Sequence, residues 1–338
     1  MKKLAIVAAA SAVASLSLGT AAHAQCGEVT VGEANWSTAQ ILAQIDAFIL
    51  TNGYGCDVTV TPVSTTTTLA VAQGSASPLV VSEFWANGVD PIVLQEAQDN
   101  GEISLTGVPF PEAGEFWYVS PAFAEAYPEL DTVEKVLARP DLFPSPTVDG
   151  AGAFYGCPIG IGWGCEHSNT NMFKAFDMEA MGWNLENPGS FEGMNSIIVD
   201  ANLSDGNWFG YYWTPTAVAI ENGLVPLAFE ADFVGTSAWG DCYSNPEPAA
   251  DCEFVPTSYT PSTVVTATTP ALEEVEGGVY DFVLAREVPM VELGAADAYM
   301  GANQASAADV AVWFLQNNED LWMSWVSDEA AEGVAAAL

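Results

Sequence analysis

The stretch EVTVGEANWSTAQILAQIDAFILTNGYGCDVTVTP, residues 28–62, holds two strand-like runs around one helix. In 28–34 and 57–62 valine and threonine alternate with other residues, the period of two that a strand requires. Between them Ile41, Leu42, Ile45, Phe48 and Ile49 recur at helical spacing behind Ser37, a good helix-capping residue. Short links then predict two parallel strands with the helix crossing one face of their sheet. The alternation continues with a short helix over 65–73, a strand over 79–84, a helix over 91–99 and a strand over 102–106. The predicted class is therefore α/β.

A second lobe is predicted to begin near Glu115, where EFWYV (115–119) reads as a crossover strand. A helical segment follows over 121–137, strands over 153–157 and 197–200, a helix over 169–181 and an aromatic strand WFGYYW over 208–213. Residues 257–269 are read as the return to the first lobe, and 306–325 as an amphipathic helix there. The predicted organisation is thus 25–114 and 261–338 in lobe 1, with 115–260 forming lobe 2. Two crossings between lobes make a hinge.

Composition narrows the function. The 338 residues include 44 Asp plus Glu against 6 Lys plus Arg, a formal charge of −38 that repels phosphate backbones and excludes nucleic acid as a partner. With 50% apolar residues spread along the chain, this is a packed protein with an acidic surface rather than a disordered acidic tail. Residues 1–24 read as a secretory signal peptide: Lys2 and Lys3, an apolar run over 4–18, and Ala22-His23-Ala24 before Gln25. Gln25 is not the small residue that lipid attachment at Cys26 requires, so the expected product is exported to a periplasm without a lipid anchor. In that oxidising compartment six cysteines are expected to pair. Spacing favours Cys157–Cys165 and Cys242–Cys252 as short loops, leaving Cys26 for Cys56.

Catalysis has little raw material. One histidine, His167, remains beyond the leader, and no G-x-S-x-G, H-E-x-x-H or P-loop is present. Paired carboxylates of the glycosidase kind are too easily found among 44 acids to be informative. No enzyme is expected, and no cofactor. The segment 241–253 concentrates oxygen donors, with Asp241 and Asp251 as candidate Ca²⁺ ligands, although its spacing is not that of an EF-hand.

The tryptophans are more telling. Trp36, Trp85, Trp163 and Trp213 follow predicted strands, two from each lobe, and open α/β sheets bind ligands at the carboxyl ends of strands. They are predicted to converge in one interdomain cleft with Trp117 at its floor. Indole faces suit diffuse cationic heads such as trimethylammonium or dimethylsulfonium. Trp183, Trp239, Trp313, Trp322 and Trp325 are assigned to the core.

Asn35-Trp36-Ser37, Phe84-Trp85, Trp117 to Pro121 and above all Tyr212-Trp213-Thr214-Pro215 resemble the glycine betaine/proline betaine type of ABC-transporter substrate-binding protein, over most of the mature chain. The stapled loops and scarcity of basic residues are similar to marine versions, including those that take trimethylamine N-oxide. The resemblance implies a two-lobe, type II Venus-flytrap fold with a ligand cleft between the lobes, capture in an aromatic cage, and delivery to an inner-membrane permease with its ATPase, the binding protein itself being a monomer. Trp36, Trp85 and Trp213 match motif aromatics; Trp163 and Trp117 are assigned by location. Where many relatives have Asp-x-Trp, this chain reads Glu83-Phe84-Trp85. An N-oxide or a hydroxyl could use a carboxylate, with Glu83, Glu115 and Glu166 as candidates, so trimethylamine N-oxide, glycine betaine, choline and dimethylsulfoniopropionate all remain open. A sugar-binding transport protein is the rival, because Trp also stacks on pyranoses.

Overall fold

The computed structural model describes residues 26–338 apart from Ala76 and Glu112; the expected signal peptide lies outside the described residues. Among the described residues ten strands form two sheets. In chain order they are β1 (Glu28–Ala34), β2 (Asp57–Val63), β3 (Leu79–Trp85), β4 (Ser104–Leu105), β5 (Gly114–Val119), β6 (Gly152–Tyr155), β7 (Trp183–Glu186), β8 (Phe209–Thr214), β9 (Val225–Pro226) and β10 (Val264–Thr268). The first sheet has the order β2-β1-β3-β10-β4 and the second β7-β6-β8-β5-β9. Both are mixed: β1 runs parallel to β2 and β3, while β10 inserts antiparallel between β3 and β4. In the second sheet β6 is parallel to β7 and β8, and β5 is antiparallel to β8 and β9.

The helix Ser37–Gly53 explains why the first lobe is so well packed. Its residues Ile41, Leu42, Ile45, Ile49 and Leu50 are fully buried, because one flank meets the sheet and another meets the C-terminal helices Ala307–Asn317 and Asp328–Ala337. That burial encloses one charged pair: Asp46 of this helix lies 2.9 Å from Arg286, both completely buried. Ser82 Oγ donates to Asp46 Oδ2 at 2.6 Å, and an Arg286 guanidinium N–H donates to Thr266 Oγ1 at 2.8 Å. Four segments distant in sequence are thereby tied at one point.

The cysteines pair as Cys26–Cys56, Cys157–Cys165 and Cys242–Cys252, the combination that spacing favoured. Several expected elements differ. Residues 197–200 are not a strand but the middle of the helix Phe191–Leu203; Ser190 caps it by accepting from Gly193 N–H, and Met194 and Ile198, four apart, supply its buried stripe. The helical segment over 121–137 is two helices, Pro121–Ala126 and Val133–Leu137, interrupted around Pro128. The C-terminal helix over 306–325 likewise breaks at Asn318 into Ala307–Asn317 and Glu319–Met323. No helix among the described residues is long and apolar enough to cross a membrane.

Candidate functional site

Parallel pairing of β1 and β3 brings their carboxyl ends to the same sheet edge. Trp36 lies just beyond β1 and Trp85 closes β3, so the two indoles meet there. Between them sits Glu83, buried, whose Oε1 accepts both the Trp36 Nε1–H at 2.6 Å and the Trp85 Nε1–H at 2.9 Å. Burial raises the Glu83 carboxyl from 4.5 to about 7, although the bonds from Trp85 and Trp36 oppose the shift.

The second sheet contributes from the opposite side. In the antiparallel β5–β8 ladder Glu115 pairs with Trp213 and Trp117 with Tyr211, so the start of β5 and the end of β8 share one edge. The Tyr211 hydroxyl, two residues before Trp213, donates to Glu115 Oε1 at 2.7 Å, and the Asn87 amide from the first lobe donates to Glu115 Oε2. Burial raises the Glu115 carboxyl above its ordinary value against these two bonds. Trp163 arrives on the loop preceding the helix Cys165–Ala175, held by the Cys157–Cys165 disulfide. Its Nε1–H crosses to the first lobe and donates to Asn35 Oδ1 at 2.5 Å.

These side chains line one pocket, formed by Trp36, Thr65, Trp85, Gly88, Glu115, Trp163, Gly164, Cys165, Tyr211 and Trp213. Trp163 stands nearly perpendicular to two neighbours, at 87° and 5.7 Å from Trp36 and 87° and 5.3 Å from Trp213. Such walls present ring faces from different directions. Each of the four tryptophans is at most 8% exposed, so a guest would be almost wholly stripped of water. Among the described residues no Lys or Arg lines the pocket.

Contacts between lobes surround it. Thr66 Oγ1 donates to Gly162 O at 3.1 Å, and Ala217 N–H, at the start of the helix Ala217–Glu221, donates to Asp297 Oδ2 at 2.7 Å. Asp297 belongs to the helix Met290–Asn303, which packs on Ser37–Gly53 of the first lobe.

Five sequence candidates lie outside the pocket lining. Trp117 is fully buried within the second lobe, 4.4 Å from Phe154 and among Phe176, Phe209 and Phe229, with its Nε1–H on Asn169 Oδ1. Antiparallel β5 begins at the pocket and runs away from it, so Glu115 reaches the edge and Trp117 lies one pleat deeper. Glu83 stands behind the rings instead of lining the pocket. Glu166 braces its own loop by accepting from Gly160 N–H at 2.8 Å. Asp241 and Asp251 border a surface hollow beside the Cys242–Cys252 loop, but among the described residues no three His, Cys, Asp or Glu side chains gather as a metal site. Asn35, Asn87 and Tyr211 escaped the sequence reading; for Tyr211 the signal was its two-residue spacing from Trp213, which places both on one strand face.

Three solved structures that superpose on this chain are described as transporter binding proteins. A choline-binding protein of an ABC transporter, in complex with choline, superposes with a TM-score of 0.69 at 15% identity, covering 92% of this chain and 98% of the other. The glycine betaine/L-proline-binding protein ProX from Borrelia burgdorferi gives 0.67 at 11% identity, over 91% and 99%. Lactococcal OpuAC, closed on glycine betaine, gives 0.63 at 14%, over 89% and 100%. No curated protein matches the sequence. The family model for the substrate binding domain of ABC-type glycine betaine transport systems, OpuAC, matches residues 27–317. The chain belongs to that family: it is the substrate-binding component of an ABC importer of the glycine betaine type, and not an enzyme.

Proposed function

We propose that this protein captures a small methylated onium osmolyte in the pocket of Trp36, Trp85, Trp163 and Trp213, in the periplasm, and presents it to an inner-membrane permease. The observation that carries this is the convergence of four indoles, two from each lobe, around one water-poor space. A trimethylammonium head has no hydrogen-bond donor and spreads its charge over its methyls, so it is bound by ring faces rather than by polar groups. At about 0.5–2 kcal/mol per desolvated face, four faces hold it without any ion pair. Because the walls come from two lobes, the complete cage exists only in the closed arrangement, and a ligand that touches all four rings draws the lobes together.

Glu115 ranks the candidate ligands. With its proton it donates to an N-oxide oxygen; without it, it accepts from the choline hydroxyl. A full carboxylate, as in glycine betaine or dimethylsulfoniopropionate, meets an acid here and no basic side chain to balance it. Trimethylamine N-oxide and choline therefore stand ahead of the two carboxylate ligands. Calorimetry with all four, and with maltose as the sugar control, tests the reading. Trp85→Ala and Trp213→Ala are expected to weaken onium binding at least about tenfold while the fold is kept. Parental affinity in both variants, or binding of maltose alone, refutes it.

A further inference from the structure

Glu83 touches no part of the pocket, yet two of the four cage rings are anchored to one of its oxygens. We propose that Glu83 is a positioning residue that fixes Trp36 and Trp85 and, when ionised, strengthens their hold on a cation, so that onium affinity falls as Glu83 takes up a proton. The inference rests on the onium reading of the cage and goes beyond it, by assigning a pH-dependent control of affinity to a residue outside the pocket.

The geometry carries the argument. Both indole N–H groups donate to Glu83 Oε1, at 2.6 and 2.9 Å, which fixes the two rings by their N–H edges where they line the pocket. Indole is polarised along its N–H bond, so an anionic acceptor there pushes electron density toward the ring face, where a cation is attracted. The same negative charge acts on the cation through a region of low dielectric, where Coulomb interactions are weakly screened. Protonation removes both effects and leaves one neutral oxygen still able to accept.

The charge state is open to titration because nothing basic neutralises it. From the helix Ser37–Gly53 the Thr38 hydroxyl faces Glu83; from β3 comes Trp85, and ahead of that helix Trp36. The charged group facing it is Asp297 of the helix Met290–Asn303, whose negative charge favours the protonated form, as burial does. Glu83 Oε2 is buried and has no hydrogen-bond partner among the described residues. The carboxyl is consequently raised to about 7, where a periplasm's pH changes its occupancy. Asp297 is itself raised, by burial against bonds from Ser37 and Ala217 N–H, and Glu115 is raised on the other lobe, so both require control variants. Linkage fixes the reciprocal sign: a bound cation lowers the Glu83 proton affinity, and binding near neutrality releases protons.

The experiment is calorimetric titration of the mature protein with choline, trimethylamine N-oxide and glycine betaine between about pH 8.5 and about pH 6, in buffers of different ionisation enthalpy. For choline, affinity is expected to fall about fivefold over that span, with proton release in the middle of it. Glu83→Gln, whose amide oxygen still accepts the indole N–H groups, is expected to bind with the weak affinity of the acidic limit at every pH, without proton release. Asp297→Asn is expected to keep the slope, and in Glu115→Gln, which removes an acid that itself meets the ligand, the part of the slope that Glu83→Gln abolishes is expected to remain. A flat profile in the parent overturns the inference and leaves the onium cage standing. A slope that survives Glu83→Gln but vanishes in either control assigns the effect to that other acid and overturns it too. If none of the three ligands binds at any pH, the cage reading falls and the inference with it.

Discussion

Gly164→Ala separates closure from folding. Gly164 has φ −61° and ψ −31°, ordinary right-handed backbone that alanine adopts freely. The three atoms nearest to an added Cβ all belong to Gly88 of the other lobe, and by restricting the unfolded chain the change adds about 0.4–1 kcal/mol of stability. Across the cleft the situation reverses. A Cβ at this position would stand 2.4 Å from Gly88 O and 2.7 Å from Gly88 Cα, backbone atoms of the opposite lobe that no rotamer can move aside. Restoring ordinary contact at 3.4 Å holds the lobes about 1 Å farther apart at this point. A gap of that size forfeits a quarter to a half of each dispersion contact, roughly 1 kcal/mol over the two faces the ligand leaves behind. It also breaks the Trp163–Asn35 hydrogen bond, worth about 1 kcal/mol. The sum, about 2 kcal/mol, is roughly a thirtyfold rise in Kd. Calorimetry with choline and trimethylamine N-oxide measures the affinity, and urea denaturation of the unliganded protein measures the fold. Affinity within about twofold of the parent, or a loss of unliganded stability matching the loss of binding, refutes the reasoning.

Trp117→Ala should do the opposite: destabilise the protein by about 3–5 kcal/mol in urea, while the folded fraction binds ligand within about threefold of the parent. A collapse of affinity in a protein that still unfolds at the parental midpoint would return Trp117 to the site. Asp46→Asn leaves the fully buried Arg286 without its counter-charge, with an expected loss of about 3–5 kcal/mol. Combining Asp46→Leu with Arg286→Met should recover most of that loss, and a double variant no more stable than the single one would show that the pair is not the source.

Much of the first lobe was legible because its signals are local. The period-two runs, the Ser37 start and the apolar stripe of the first helix all act within a few residues, and they dictate β1, its crossover and β2. Placement of β10 was not legible in the same way. Nothing in VVTAT announces an antiparallel insertion between β3 and β4, since that choice is made by partners far away in sequence. The IIVD segment shows the converse failure. A β-branched run looks like a strand, but Ser190 and the Met194–Ile198 spacing make it a helix once one side has a core to face. At the site, strand-end tryptophans were readable as a set because rings at such positions do not serve a single lobe's core. Trp117 was misplaced because a crossover strand was expected to lie along the cleft floor, whereas antiparallel β5 meets the cleft only at its start, at Glu115.

The distribution of charge then gives the cage its logic. Among the described residues the basic side chains are committed elsewhere: Arg286 to Asp46, Lys135 to Asp131, Arg139 to Asp141, and Lys174 to Asn171 and the Phe254 ring. Two acids, Glu83 and Glu115, are nevertheless buried at the cage, and burial without a cation is what raises both. A core built only for stability would have placed apolar residues there or supplied a lysine or arginine. On the proposed function the compensating positive charge is brought by the guest: an onium head between the rings would relieve the desolvation that Glu83 and Glu115 bear. An anionic or uncharged sugar guest would bring no such relief. The selectivity for soft cations proposed above would thus follow from where the few basic residues are absent as much as from where the tryptophans stand.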